Sequence, residues 1–150
     1  MLEIITYPNN ILREKSLNIK NPNDPKIKKL ISDMISTLTA HNGIGLAAPQ
    51  VGENLRLCVI EHDNEHIVLI NPEIKKLAGN EVVIEEGCLS FPGKFIPIKR
   101  HTKVRVKALD ASGRKQIIRA KGLIARAIQH EIDHLDGVLF IDRTEDQMEE

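Results

Sequence analysis

His130 and His134 stand four residues apart, with Glu131 between them, in the run AIQHEIDHLDG (residues 127–137). On an α-helix, positions i and i+4 lie one turn apart on one face, so both imidazoles can turn a ring nitrogen toward a single ion. Glu131, beside that face, can reach a water on the ion without being a ligand, the role of the glutamate in the H-E-x-x-H pattern. The chemistry these residue types and spacings offer is metal-assisted hydrolysis. The competing reading is a histidine pair on a solvated helix surface. Ala127 and Leu123, one and two turns back on the same face, weigh against it, because small or apolar neighbours suit the wall of a dry pocket, where an ion acts more strongly.

Two imidazoles do not complete such a centre. Catalytic zinc-type sites take three protein ligands and leave one position for water. No histidine follows His134, and the chain reaches Glu150 too soon for the more distant glutamate used by other H-E-x-x-H families. The third ligand is therefore expected upstream, from Cys88, His41, His62, His66 or His101. Cys88 is favoured, since in EEGCLSFPG it follows a glycine and precedes a proline turn, where the backbone can bend around an ion, and a thiolate is a strong ligand for such metals. His62 and His66, in the acidic EHDNEH, and His41, at a helix end, read as surface residues. Cys58, inside RLCVI, reads as a small buried hydrophobe.

These side chains need elements to hold them. Asp24-Pro25 supplies an N-cap and a proline at the first helical position, and Ile27, Leu30, Ile31, Met34, Ile35 and Leu38 form one stripe, which predicts an N-terminal helix ending near Asn42-Gly43. Residues 55–60 (LRLCVI) and 67–70 (IVLI) predict strands, the second closed by Asn71-Pro72. Residues 103–109 (KVRVKAL) alternate, with Val104, Val106 and Ala108 inward, and Asp110-Ala111-Ser112-Gly113 turns the chain into a partner strand at 116–120. Gly122 opens the histidine helix, whose buried stripe is Leu123, Ala127, Ile128 and Leu135 and whose C-cap is Gly137. Helix, strands, then helix predict an α+β fold. The expectation is one compact domain over residues 1–150, with antiparallel strands packed around the C-terminal H-E-x-x-H helix and a helix at the N-terminal end.

The composition narrows the function classes. A net charge of zero, 3% aromatics and no tryptophan argue against a specific nucleic-acid partner. The charge is nevertheless uneven: residues 94–126 hold eleven Lys or Arg and one acid, Asp110, whereas the last twenty residues hold eight acids and one Arg. Solvated strand faces and an acidic tail account for this, and the sharper reading is a basic patch that meets an anionic partner. Two cysteines are too few for a disulfide framework. The opening MLEIITYPNNILREKS lacks the marks of a signal or transit peptide, and no stretch approaches about 18 uninterrupted apolar residues, so a cytoplasmic protein with no membrane partner is expected.

Three segments, GIGLAAPQ (residues 43–50), EGCLS (86–90) and QHEIDHLDG (129–137), resemble in order and spacing the three signature motifs of the peptide deformylase family, and the resemblance spans most of the chain. It implies one divalent metal held by Cys88, His130 and His134, ferrous iron in the cell, with zinc, nickel or cobalt able to take its place. The reaction it implies is removal of the formyl group from the N-terminal formylmethionine of new polypeptides, releasing formate. A metal-bound water would attack the formyl carbon, with Glu131 acting first as base and then as acid. The resemblance also assigns oxyanion donors, the Gln50 side-chain amide and the Leu89 N–H. A loop-capping glutamine is the plainer reading of Gln50, but its place after Pro49 at the end of a glycine-rich loop favours the functional one. Ile44, Gly45, Gly87 and Leu89 would receive an extended peptide like an added strand, and Ile44, Leu89, Leu123 and Ala127 would hold the methionine side chain.

The chain departs from the family pattern in places. Many bacterial members carry an arginine seven residues after the metal-binding cysteine, where this chain has Phe95. Only a short acidic tail follows GVLFIDRT, whereas several bacterial relatives dock on the ribosome through a longer terminal helix, so the basic segment is the fallback for that partner. Asp133, three residues from His130, either orients a ligating imidazole or faces solvent. The competing functions are a metallopeptidase acting on internal peptide bonds and a non-catalytic metal-binding domain.

Overall fold

The computed structural model describes the backbone of residues 1–148 and side chains as far as Thr144. Helix α1 (Pro25–Ala40) starts as its sequence predicts: the Asp24 carboxylate accepts from the Lys26 N–H at 2.9 Å, and Pro25 occupies the first position, where no N–H is needed. Strands β1 (Gly45–Ala47), β2 (Leu57–His62), β3 (Glu65–Gly87), β4 (Phe95–Leu109) and β5 (Lys115–Lys121) follow, then α2 (Gly122–Leu135) and α3 (Phe140–Met148). The strands form one antiparallel sheet in the order β1-β2-β3-β4-β5. The fold is α+β.

Helix α2 covers one face of the sheet, and α1 covers the other at its β1–β2 end. Cys58 and Ile60 of β2 pack with Leu69, Val104, Val106 and the α2 residues Ile128 and Leu135. Their neighbours Leu57 and Val59 point the other way, against Met34 and Leu38 of α1. Alternate residues of one strand thus serve two cores, which explains why LCVI is an unbroken apolar run. Val104, Val106 and Ala108 are buried on the α2 side, as the alternation in KVRVKAL predicts.

Several boundaries differ from the sequence reading. Asn71-Pro72 does not close a strand: β3 runs through it, with Asn71 at φ 52 and a register shift between Ile70 and Glu73. The Asn71 side chain bonds both polar groups of the Ile19 backbone, at 2.8 and 2.9 Å, so the irregularity is anchored, and proline lacks no ladder bond there. Strand β4 begins at Phe95, well before the alternating segment, and residues 95–101 pair with residues 81–87 in a two-stranded arm that β5 does not reach. Leu123, expected in the buried stripe, is 59% exposed, because it lines an open cleft. Helix α3 was not foreseen as a helix: the acidic run masks Leu139 and Phe140, which pack with Leu12, Phe91 and Ile98 in a third cluster. The tail acids Glu145, Asp146, Glu149 and Glu150 lie outside the described side chains. No helix among the described residues is long and apolar enough to cross a membrane.

The end of α2 is set by Gly137, at φ 74, with its N–H donating to His134 O at 3.2 Å and the Val138 N–H to Asp133 O at 2.9 Å, the double bond of a Schellman cap. A Cβ at Gly137 would run into the Arg13 carbonyl, whereas one at Gly93, also at positive φ, would meet nothing within 4 Å. Gly137→Ala should therefore cost about 2–4 kcal/mol in urea unfolding and Gly93→Ala no more than about 1–2 kcal/mol. Equal losses would mean that the close approach to Arg13 carries no weight.

Candidate active site

Helix α2 is buried on every side from Ala125 to Leu135, although this stretch contains Arg126, Gln129, His130, Glu131, Asp133 and His134. A buried polar group is tolerated when its hydrogen bonds are met. Most of these are met by the arm of β3 and β4. Arg100 bonds both oxygens of Glu86, at 2.5 and 3.1 Å, and reaches Asp133 at 2.9 Å. Arg126 bonds Glu86 at 2.5 Å and the backbone oxygens of Ile98 and Val82. Glu86 also accepts from His130 Nδ1 at 2.9 Å, leaving Nε2 of that ring for another partner.

The arm also delivers Cys88. Beyond Gly87 the chain tightens, with the Phe91 N–H donating to Cys88 O at 2.9 Å and the Lys94 N–H to Phe91 O at 3.1 Å. Ligand atoms of Cys88, His130 and His134 lie within 4.8 Å of one another, and no other such group of three or more His, Cys, Asp or Glu occurs among the described residues. Cys88 Sγ stands 3.3 Å from His134 Nε2. A sulfur at about 2.3 Å and a nitrogen at about 2.05 Å from a tetrahedral ion are about 3.5 Å apart, so the donor set fits a divalent ion of zinc's size. Two further buried atoms in this region, Glu131 Oε1 and His134 Nδ1, have no hydrogen-bond partner.

None of the other upstream candidates joins this group, although His41 lines the cleft beside it. His41 bonds Thr37 O at the end of α1, His62 pairs with Asp63 and His101 with Glu81 at 3.4 Å, and His66 faces Glu61 across the β2–β3 hairpin. Cys58 is fully buried in the sheet core, where burial and the charge of Glu131 push its thiol well above the usual range. Asp133 takes neither role weighed for it. It is buried, bonded by Arg100 and by Arg143 of α3, and the carboxylate on the His130 ring is Glu86. Sequence reasoning missed Glu86, Arg100 and Arg126. Their signal was an acid between exposed neighbours and the cysteine, and cations at positions that strand and helix periodicity assign to the interior. The basic segment is thus partly internal, with Arg100 and Arg126 spent on Glu86.

Burial raises the Glu131 carboxyl to about 7, with the charges of Glu86 and Asp133 adding to that and His130 and Arg100 opposing it. For His130, burial lowers the imidazole, but hydrogen bonds to Cys88 and Glu86 outweigh it and lift the ring to about 10. Burial and the neighbouring His130 hold His134 well below its usual value. Imidazole ligates through an unprotonated nitrogen, so a cation bound here displaces a proton.

Gln50 is held by both ends of its amide. Its Oε1 accepts from the Ala47 N–H at 2.9 Å, and its Nε2 faces Ser90 Oγ at 3.1 Å and Cys88 Sγ at 3.8 Å. Loop capping, the plainer reading of this residue, is therefore real, and it is what aims the amide N–H at the cysteine. Gly45 makes room for the carboxylate, since a Cβ there would lie 2.6 Å from Glu131 Oε2. Above the ligand atoms opens a cleft of about 570 Å³, lined by Gly45, Gly87, Leu89 and Ala127 among others. Ile44 and Leu123, at 42% and 59% exposure, stand on its rim, and Phe95 lays its ring against Gly87.

The sequence model for polypeptide deformylase matches residues 1–150. The chain belongs to the polypeptide deformylase family. It is an enzyme of that family by its match and by its relatives. The peptide deformylase of Dictyoglomus thermophilum is 51% identical over 133 residues, covering 89% of this chain and 86% of that one. Among solved structures, a peptide deformylase from Synechococcus elongatus in complex with actinonin superposes with a TM-score of 0.92 at 43% identity, covering 95% of this chain and 78% of that chain. The Thermotoga maritima peptide deformylase gives 0.92 at 40% identity, covering 95% and 97%. The deformylase fold is thus shared almost end to end.

Hydrogen bonds from His130 and Arg100 outweigh the burial penalty on Glu86 and hold its carboxyl down to about 2. A depressed carboxylate contributes stability that is complete above its unfolded value, about 4.5, and is lost as pH falls toward 2. Wild type should therefore exceed Glu86→Gln by on the order of 3 kcal/mol in urea unfolding at pH 5–7, the gap closing toward pH 2. A gap that stays constant with pH would show that the ionised carboxylate is not its source.

Proposed function

We propose that this enzyme hydrolyses the formyl group from the N-terminal formylmethionine of nascent polypeptides in the cytoplasm, within a single catalytic domain over residues 1–150. The observation that carries the reading is the convergence of Cys88, His130 and His134 on one point, beside the unpartnered Glu131 carboxylate and the aimed amide of Gln50. Those three residues would hold one divalent ion, ferrous iron in the cell, with zinc, nickel or cobalt as substitutes. When bound, such an ion acidifies a water toward neutrality and favours the ionised form of a nearby carboxyl.

The chain's own groups supply the rest. Glu131 takes a proton from the attacking water as its oxygen bonds the formyl carbon. The C–N bond then breaks, the same proton passes to the leaving amine, and formate departs. The Gln50 amide and the Leu89 N–H donate to the oxyanion that forms on the carbonyl oxygen. Glu86 keeps the His130 ring turned, through Nδ1, so that Nε2 is the ligating atom. The methionine side chain is assigned to Ile44, Leu89, Leu123 and Ala127, and the peptide backbone to Ile44 and Gly45 on one side and Gly87 and Leu89 on the other. Gly45 and Gln50 stand close around Glu131 and Cys88, which supports a small acyl group and disfavours the bulky acyl side of an internal peptide bond.

Protein reconstituted with iron without oxygen, or with nickel, should release formate from a formyl-Met peptide and leave an unformylated peptide intact. Cleavage of the unformylated peptide at comparable rate would replace this reading by the metallopeptidase one. Chelation should abolish turnover. Glu131→Gln should lose ~10²–10⁴-fold in kcat while metal analysis still finds one ion per chain. Gln50→Ala should lose ~10²–10³-fold. Gly45→Ala, which pushes on Glu131, should lower kcat without lowering metal content, and an unchanged kcat would remove the tight fit from the argument.

A further inference from the structure

Away from the cleft, Lys76, Lys103, Arg105, Arg119 and Lys121 line a second cavity of about 400 Å³ on strands β3, β4 and β5. Ala78 shares the face of these cations, whereas the side chains of Val104 and Ala120 turn to the α2 side of the sheet. Strand register makes this clustering of cations costly. Lys103 stands directly opposite Lys121, and Arg105 lies opposite Arg119 on one side and Lys76 on the other. Like charges directly across an antiparallel pair are destabilising. All five residues are exposed, and none forms an ion pair with an acid among the described residues. Acids flank the rows without entering them: Glu73 faces Lys107 and bonds Lys75, and Glu81 faces His101.

We propose that this face is a docking surface for the phosphate backbone of duplex RNA. The backbone positions that carry these cations are spaced about 4.8 Å across strands and about 6.8 Å along them, a grid that one small anion cannot neutralise and a repeating polyanion can. No aromatic side chain lines the cavity, so it offers nothing for unpaired bases to stack on. A sheet face does not enter the major groove of B-DNA, which takes a helix or a two-stranded ribbon. A-form RNA instead presents phosphates and 2′-hydroxyls beside a wide, shallow groove. The cavity shares no lining residue with the cleft, so RNA can be bound while the cleft works. Binding of this kind ignores base sequence, in keeping with the absence of base-reading groups.

Fluorescence anisotropy of the full chain with a 20-bp RNA duplex tests this. Affinity should be micromolar at low salt and fall roughly 10²–10³-fold between 50 and 200 mM salt, as four or five phosphate contacts require. Arg119→Glu should weaken binding at least tenfold, reduce the salt slope by about one to two, and raise the melting temperature by replacing a like-charge rung with an attractive one, with formate release unchanged. Lys26→Glu, an equal charge change on α1, should leave affinity within about twofold. The proposal is overturned if the duplex does not bind, if Lys26→Glu weakens binding as much as Arg119→Glu, or if the melting temperature of Arg119→Glu falls. It is equally overturned if a DNA duplex or phosphatidylglycerol vesicles bind as tightly as the RNA.

Discussion

Everything at the cleft depends on keeping a helix full of polar groups inside the protein. Helix α2 carries His130, Glu131 and His134 between two layers of apolar packing, and each charge brought there with them must be met by another. Glu86 does most of this. One buried carboxylate joins Arg100, Arg126 and His130, and through Arg100 it reaches Asp133, which in turn holds Arg143 of α3. The network ties the β3–β4 arm and the last helix to the same turn of α2. Since Cys88 is two residues beyond Glu86, the ion-pair geometry also fixes how closely the thiol approaches the imidazoles. The network thus helps to hold a ligand set contributed by distant parts of the chain.

The rest of the cleft follows from small residues and one tethered amide. Gly45 lets β1 pass close to Glu131, and Gln50 spends its carbonyl on Ala47 so that its N–H₂ has only one direction to face. Both belong to the short GIGLAAPQ segment, which contributes an edge strand and a single helical turn. The apolar residues Ile44, Leu123 and Phe95 around the cleft are exposed. Charge elsewhere is handled differently. Inside, Arg100 and Arg126 are met by Glu86 and Asp133; on the outer face of β3, β4 and β5, Lys103 faces Lys121 and Arg105 lies between Lys76 and Arg119.

Much of the fold could be read from local pattern. The Asp24-Pro25 start of α1, the alternation of KVRVKAL, the Asp110–Gly113 turn and the glycine stop of α2 are each decided within a few residues, and each is where the sequence puts it. The failures share a cause. Asn71-Pro72 looks like a strand end because proline cannot donate to a ladder, but a bulge held by Ile19 removes the need for that bond. Leu123 fits the helical stripe, yet it lines the open cleft and stays exposed. Spacing within α2 leaves Asp133 between an imidazole and solvent, while its partners, Arg100 and Arg143, come from a strand and a helix that such spacing cannot reveal.

By itself the sequence determined the chemistry: two imidazoles and a carboxylate on one helix turn follow from the 3.6-residue period, and a thiol after a glycine is a local arrangement. The order of the three motifs was enough to point to the deformylase family. Tertiary structure alone decided that Cys88, of all the upstream candidates, meets His130 and His134, that Glu86 turns the His130 ring, and that Arg100 and Arg126 face inward. The physical reason is the same in each case. Periodicity specifies which way a side chain points from its own element, whereas the partner it meets depends on strand register and on which elements pack together, and those are set by the whole chain at once.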